Sequence, residues 1–344
     1  MKLTVFLITF LLMMTNRAFC GYLEDGNAMF AKGDYDEANA SFTKAIEQDQ
    51  NNYLAYVFRG LIRQNKGNLD DALADYNKAI EINPKYEITY NNRGNVKRSK
   101  QDLSGALADF TKAIELKSDY VDAYYNRGSA KKQKGDFDGA ITDYNKAIEL
   151  KPNYADIYND RGIAKARIGD LEGAVTDYTK AIQFKPDDAS AYYNRGNAKS
   201  SKGDLAGAIT DYTKAIELKP SDIHGYNNRA WCEFLKSNFD GAISDATRAI
   251  QLNPKDGNAY STRGWSLYEK GNVADALADC KKAVELEGVN SLDAAGDQGM
   301  IDFINRDYKK AVISWEKAIQ HDASVRQILE PWIEKAKAKQ SAAK

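Results

Sequence analysis

A glycine or alanine returns every 34 residues along most of this chain: Gly26, Gly60, Gly94, Gly128, Gly162, Gly196, Ala230, Gly264. The clearest copy of the text around it is Tyr192–Pro220, YYNRGNAKSSKGDLAGAITDYTKAIELKP. A fixed period of this length leaves few folds open. Each copy is one supersecondary unit too small to bury its own apolar face, so successive copies must stack.

Within a copy the spacing predicts two helices. Tyr192, Gly196 and Lys199 share one face of a first helix, and Gly203-Asp204 interrupts it. Leu205, Ala208, Ile209, Tyr212, Ala215 and Ile216 follow the 3, 4, 7 spacing of a second amphipathic helix. Pro220 ends it, as Pro84, Pro152, Pro186 and Pro254 end its counterparts. A glycine inside a helix costs about 1 kcal/mol relative to alanine. Its recurrence therefore predicts close helix–helix approach. No segment alternates with period two, so an all-α chain is expected. The copies run over about 21–52, 53–86, 87–120, 121–154, 155–188, 189–222, 223–256 and 257–290, with a weaker, displaced ninth at 292–324. In the ninth, Gly299, Tyr308, Ala311, Trp315 and Ala318 hold the pattern. Over 325–344, Val325, Ile328, Leu329, Trp332, Ile333 and Ala336 form one stripe, which predicts a helix capping the open end of the stack.

A small residue in the first helix, Gly-Asp at the turn, then Ala, an aromatic, Ala and Pro: this pattern resembles the tetratricopeptide repeat family over about residues 22–324. The resemblance implies a right-handed α-solenoid, a superhelix whose first helices line a concave groove, and work as a non-catalytic protein–protein scaffold or adaptor. The departures are Gln101 and Ser237 at the turn, Ser118 and Gly288 for Pro, and Ala246 and Cys280 for the aromatic. They concentrate in the seventh and eighth repeats, where looser or specialised stacking is expected.

The first twenty residues are a different text. Lys2 precedes an apolar run from Leu3 to Met14, and Ala18-Phe19-Cys20 follows, the pattern of a cleaved secretory signal peptide. This twelve-residue run, apolar except for Thr4 and Thr9, falls short of the roughly 20 that span a bilayer. Lipid modification of Cys20 is the alternative to cleavage. Export to the periplasm or the extracellular space is expected, with no membrane span in the mature chain. Without residues 1–20, which carry Lys2 and Arg17, the formal net charge moves from −1 to −3. That balance does not point to nucleic acid as a partner. Cys232 and Cys280 then remain, too few for a disulfide framework, and small buried side chains are expected there.

Two constellations ride on the repeat. Arg59, Arg93, Arg127, Arg161, Arg195, Arg229 and Arg263 each stand sixteen residues before an aspartate, from Asp75 to Asp279, and the first and ninth repeats lack both members. Joint presence and joint absence predict an Arg–carboxylate bridge between helices. Ligand binding by the arginine row is the functional alternative.

The second constellation is a polar row: Asn92, Asn126, Asp160, Asn194 and Asn228, each two residues before the small residue of its first helix. In some tetratricopeptide relatives an asparagine ladder at the matching offset holds the backbone of an extended peptide. An amide offers both donor and acceptor, so it can hold a peptide unit whatever its side chain. With neighbouring helices about 10 Å apart and a strand rising about 3.3 Å per residue, one Asn meets roughly every third residue. A solvated face is the plainer reading. Three residues further on, Trp231 and Trp265 replace polar residues and are joined by Phe234 and Tyr268, an arrangement that would anchor an apolar side chain. The alternative is that the small Ala246 and Cys280 let the two tryptophans turn inward.

Catalytic sets are missing. His224 and His321 lie far apart, so neither a histidine metal cluster nor a Ser-His-Asp set is available. No phosphate-binding or dinucleotide-binding glycine motif occurs. The expectation is therefore no enzyme, no metal and no cofactor. The partner would be a protein or peptide, with membership of a multiprotein assembly possible. The rival functions are a chaperone-type adaptor recognising partner C-termini, a regulatory subunit of a separate enzyme, and a structural spacer. The first would need Lys and Arg on groove offsets that here hold Asn, Tyr, Ser and Trp.

Overall fold

The computed structural model describes residues 21–288 and 294–342. The expected signal peptide, at 1–20, and the join of the eighth and ninth repeats, near 290–292, lie outside the described residues. These divide into two compact bodies that meet in sequence after Ile168.

The N-terminal body holds α1 (Gly21–Lys32), α2 (Tyr35–Gln48), α3 (Tyr53–Asn65), α4 (Leu69–Ile82), α5 (Glu87–Ser99), α6 (Leu103–Leu116), α7 (Val121–Lys134), α8 (Phe137–Leu150) and α9 (Ala155–Arg167). The C-terminal body continues with α10 (Leu171–Phe184), α11 (Ala189–Ser201), α12 (Leu205–Leu218), α13 (Ile223–Leu235), α14 (Phe239–Leu252), α15 (Gly257–Glu269), α16 (Val273–Glu287), α17 (Ala295–Ile304) and α18 (Tyr308–His321). A 3₁₀ turn, Ala323–Val325, leads into α19 (Arg326–Ala342). Among the described residues every regular element is helical. Odd-numbered helices up to α17 are the first helices of their repeats and even-numbered ones the second.

Each repeat folds as the sequence dictates. The turn needs a left-handed residue, supplied by Gly33, Gly67, Gly135, Gly169, Gly203 and Gly271, and by Gln101, Ser237 and Arg306 where glycine is absent. Asp102, Asp136 and Asp204 then cap the second helix by accepting the backbone N–H of Gly105, Gly139 and Gly207 at 2.9 Å.

The recurring small residue answers the ring sixteen places on. A Cβ built on Gly128 would lie 2.8 Å from Cε1 of Tyr144, and one on Gly94 would lie 2.7 Å from the Phe110 ring. The same holds for Gly26 against Phe42, Gly60 against Tyr76, Gly196 against Tyr212 and Gly299 against Trp315. The seventh repeat makes the point in reverse. Its ring is replaced by Ala246, and there the small residue is Ala230.

First helices of successive repeats touch one another, α3, α5, α7 and α9 in one body, α11, α13 and α15 in the other. The first helices therefore share one face of each body's stack. α19 packs on α18 and buries Leu329, Trp332, Ile333 and Ala336.

Candidate functional site

The arginine row belongs to the fold. Within six repeats the guanidinium grips its aspartate with two N–H donors. Arg127 Nε and Nη2 donate to Asp143 at 2.9 and 2.7 Å, and Arg195 repeats this on Asp211 at 2.9 and 2.6 Å. The third nitrogen reaches back to the preceding repeat, Arg127 to Thr111 at 3.2 Å and Arg93 to Asn77 at 2.8 Å. The guanidinium also lies over a tyrosine one turn earlier, Tyr124 for Arg127. Lys131 adds a second cation to Asp143, as Lys97 does to Asp109 and Lys199 to Asp211. The aspartates are buried, Asp143 to 2% exposure. Each arginine thus ties three helices together, and a buried carboxylate that needs this partner leaves it nothing to offer a ligand.

The polar row lies on the first helices and is half-exposed. In the N-terminal body the Asn126 amide donates to Asn91 of the preceding first helix at 2.9 Å. Asp160 accepts from the Tyr125 hydroxyl at 3.0 Å and from Lys132 at 2.7 Å. In the C-terminal body the Asn228 amide donates to the Tyr193 hydroxyl at 3.1 Å and to Asn197 at 2.9 Å. The row is therefore also an inter-repeat seam. Asn126, Asp160 and Asn228 each meet the preceding first helix three residues before its small residue, and Asn228 also one after it and Asp160 four after it.

The seam is unevenly satisfied. Asn197 Oδ1 accepts from both Asn228 and the Tyr212 hydroxyl, the latter at 2.8 Å. Asn95 occupies the same offset three repeats earlier, but its ring partner is Phe110, which has no hydroxyl, and Asn126 donates to Asn91 instead. Asn95 Oδ1 is consequently buried without a donor. Buried polar groups are nearly always paired, so this orphan marks the first-helix face of the N-terminal body as incomplete.

The aromatic anchors need correcting. Trp265 is 5% exposed and Phe234 8%, both inside the core of the C-terminal body. The reason lies across the helix pair: Cys280 stands where other repeats carry a ring, and the Trp265 indole turns inward, with its N–H donating to Asp297 at 2.8 Å. Trp231 and Tyr268 remain half-buried. Trp231 stacks on Phe234 with centroids 5.4 Å apart, and Tyr268 meets Trp332 and Phe303 edge-on. Cys232 and Cys280 are free and buried, and burial pushes both thiols up.

Asp297 was not among the row residues picked out from sequence, because the ninth repeat is out of register by one. It stands two before Gly299, which makes it the row's member there. It accepts from Ser261 at 2.9 Å and from Trp265, the same two offsets that meet Asn228. Burial pushes its carboxyl up to about 6. A cavity of about 310 Å³ opens beside it. Among the described residues no group of three or more His, Cys, Asp or Glu side chains is arranged to hold a metal, and no helix is long and apolar enough to cross a membrane.

Helix pairs of 34 residues, a left-handed turn, a small residue against a ring and first helices on one side define stacked tetratricopeptide repeats, a protein-interaction scaffold fold. Comparison with family models agrees: models described as TPR repeat match 60–97, 94–135, 128–169 and 166–200, and models described as tetratricopeptide repeat match 26–52, 189–222 and 236–291. The chain belongs to the tetratricopeptide repeat family. No curated protein matches it. Among solved structures it is similar to the C-terminal part of a TPR repeat-containing protein from Cytophaga hutchinsonii, at 20% identity and a TM-score of 0.58, covering 70% of this chain and 99% of that one. A tetratricopeptide repeat protein from Parabacteroides merdae aligns at 19% identity and 0.53, over 73% of this chain and 100% of that one. YrrB, described as a TPR protein with an unusual peptide-binding site, aligns at 25% identity and 0.49, over 57% of this chain and 97% of that one.

Proposed function

We propose that this chain is a non-catalytic scaffold or adaptor that binds an extended peptide, or a helix, of a partner protein on its first-helix face. The observation that carries the reading is the division of labour on the first helices. The arginine charges are consumed by buried aspartates, while a half-exposed row of amides remains and one neighbouring acceptor, Asn95 Oδ1, has no donor. Asn95 Oδ1 is itself covered in the unbound chain, so a peptide N–H reaches it only where neighbouring side chains turn aside, while the row's amides offer a donor and an acceptor at the surface. The same division speaks against capture of partner C-terminal carboxylates, which would need unspent cations.

Asn95→Leu tests the reading. It removes a buried unpaired acceptor, so the fold should be unchanged or up to about 1 kcal/mol more stable, while binding of the native partner falls. Asn126→Ala and Asn228→Ala serve less well, because these amides also brace the repeats. Partner binding untouched by Asn95→Leu, in a chain of unchanged helicity, would refute the role given to this face. The leader pattern adds export to the proposal. N-terminal sequencing of the protein from its native source should find Gly21, and a lipid on Cys20 or an intact Met1 would revise it.

A further inference from the structure

The cavity at the C-terminal end of the second body has a chemistry of its own. Its walls come from α13, α15, α17, the end of α18 and α19, and include the indoles of Trp231 and Trp265 and the aliphatic Val325, Ile328 and Leu329. About 310 Å³ suits one long side chain, at the small end of ligand pockets. Two carboxylates, Asp297 and Asp322, line it, and of the described lining residues only His321 can carry a positive charge.

Asp297 is 3% exposed and is held by two neutral donors, the Ser261 hydroxyl and the Trp265 indole N–H. The structural aspartates of the repeats are handled differently. Asp143 and Asp211 each receive an arginine and a lysine, and Asp160 a lysine. A buried carboxylate without an opposite charge is costly and is ordinarily matched by a cation. Here the open side of the carboxylate is a cavity walled by aromatic faces, where a planar guanidinium can stack while its N–H groups reach oxygen.

We propose that this cavity receives the guanidinium of an arginine side chain from the bound partner chain, paired with Asp297 and stacked on the tryptophans. The peptide-binding reading supplies only the source of the arginine; the chemistry of the cavity stands by itself. Neutral Asn258 and Ser261 add hydrogen-bonding groups for the remaining donors, and Asp322 adds a second charge.

The test uses the full chain and its own fluorescence, since all four tryptophans, Trp231, Trp265, Trp315 and Trp332, belong to this region. Agmatine and N-acetyl-arginine-methylamide are titrated at neutral pH, with N-acetyl-citrulline-methylamide as the uncharged isostere, followed by a short arginine-containing peptide and its citrulline twin. The arginine probes should change the tryptophan emission, and citrulline should bind at least about tenfold more weakly, the discrimination expected of a site whose buried charge is left unpaired. Asp297→Asn, which keeps the acceptor for Ser261 and Trp265, should remove the preference for arginine. Asp322→Asn, at an exposed position that keeps its capping role toward Ser324, should weaken arginine by a smaller factor without altering the fold. Equal binding of arginine and citrulline, or no effect of either variant, would overturn the proposal. A peptide that binds no tighter than agmatine would overturn the partner as source, even where the peptide-binding face itself is intact.

Discussion

Arg127 and Asp143 allow the bridge between repeats to be weighed. Replacing Arg127 with Met leaves Asp143, 2% exposed, with Lys131 at 2.9 Å as its remaining cation. Stranding one member of a buried pair costs about 3–5 kcal/mol, and the surviving lysine puts Arg127→Met near the lower end. Asp143→Leu is milder. The Arg127 side chain is 19% exposed, keeps Thr111, and can turn toward water, so about 1–2 kcal/mol is expected. With both changes the site holds Met and Leu of similar bulk, and the double variant should lie within about 1 kcal/mol of wild type. The cycle then gives a coupling of at least about 2 kcal/mol, far above the roughly 0–1 kcal/mol of exposed pairs. Repeat stacks can open locally, so the assay pairs denaturant unfolding with hydrogen exchange over residues 121–154. Single variants that each cost under about 0.5 kcal/mol, with additive effects, would show that these bridges behave as surface ion pairs. The clamp described here would then be wrong.

Other outcomes follow from the same geometry. Gln101→Gly and Ser237→Gly relieve left-handed backbone at φ of 65° and 61° and should each stabilise by about 1 kcal/mol in denaturant unfolding, whereas Gly135→Ala, at φ 87°, should destabilise by a similar amount. Asp297 carries a carboxyl raised from 3.8 to about 6, so the folded state binds its proton more tightly than the unfolded one. The stability this confers is fully present below pH 3.8 and is lost as pH rises through about 6. Relative to Asp297→Asn, wild type should lose on the order of 3 kcal/mol across that window, read from tryptophan-detected unfolding at a series of pH values. A pH-independent difference would place the carboxyl in water.

Much of this was legible in the chain because a repeat is its own alignment. The period located the helices, and the matched loss of Arg and Asp from the first and ninth repeats revealed the bridge. The pairing of Gly with a ring could be read the same way, since Ala230 accompanies Ala246. Offsets assign a residue to a helix face, but they do not measure the space opposite. For Trp265 the sequence therefore left an open face and an inward turn over the small Cys280 both standing, and only the space opposite the indole decides between them. The seam formed by the polar row depends on the rotation between successive repeats, which no single repeat encodes. Asp297 escaped because one inserted residue shifts the ninth repeat, and its partners Ser261 and Trp265 identify it only in three dimensions.

The most direct test of peptide binding on the first helices is site-specific photo-cross-linking in the native extract. A photoreactive phenylalanine at Asn92, half-exposed on α5, is compared with one at Thr142, exposed on α8. Adducts at Asn92 that map to one continuous partner segment, with none at Thr142, are the predicted result. Adducts at Thr142 alone, or at both positions alike, would contradict the account.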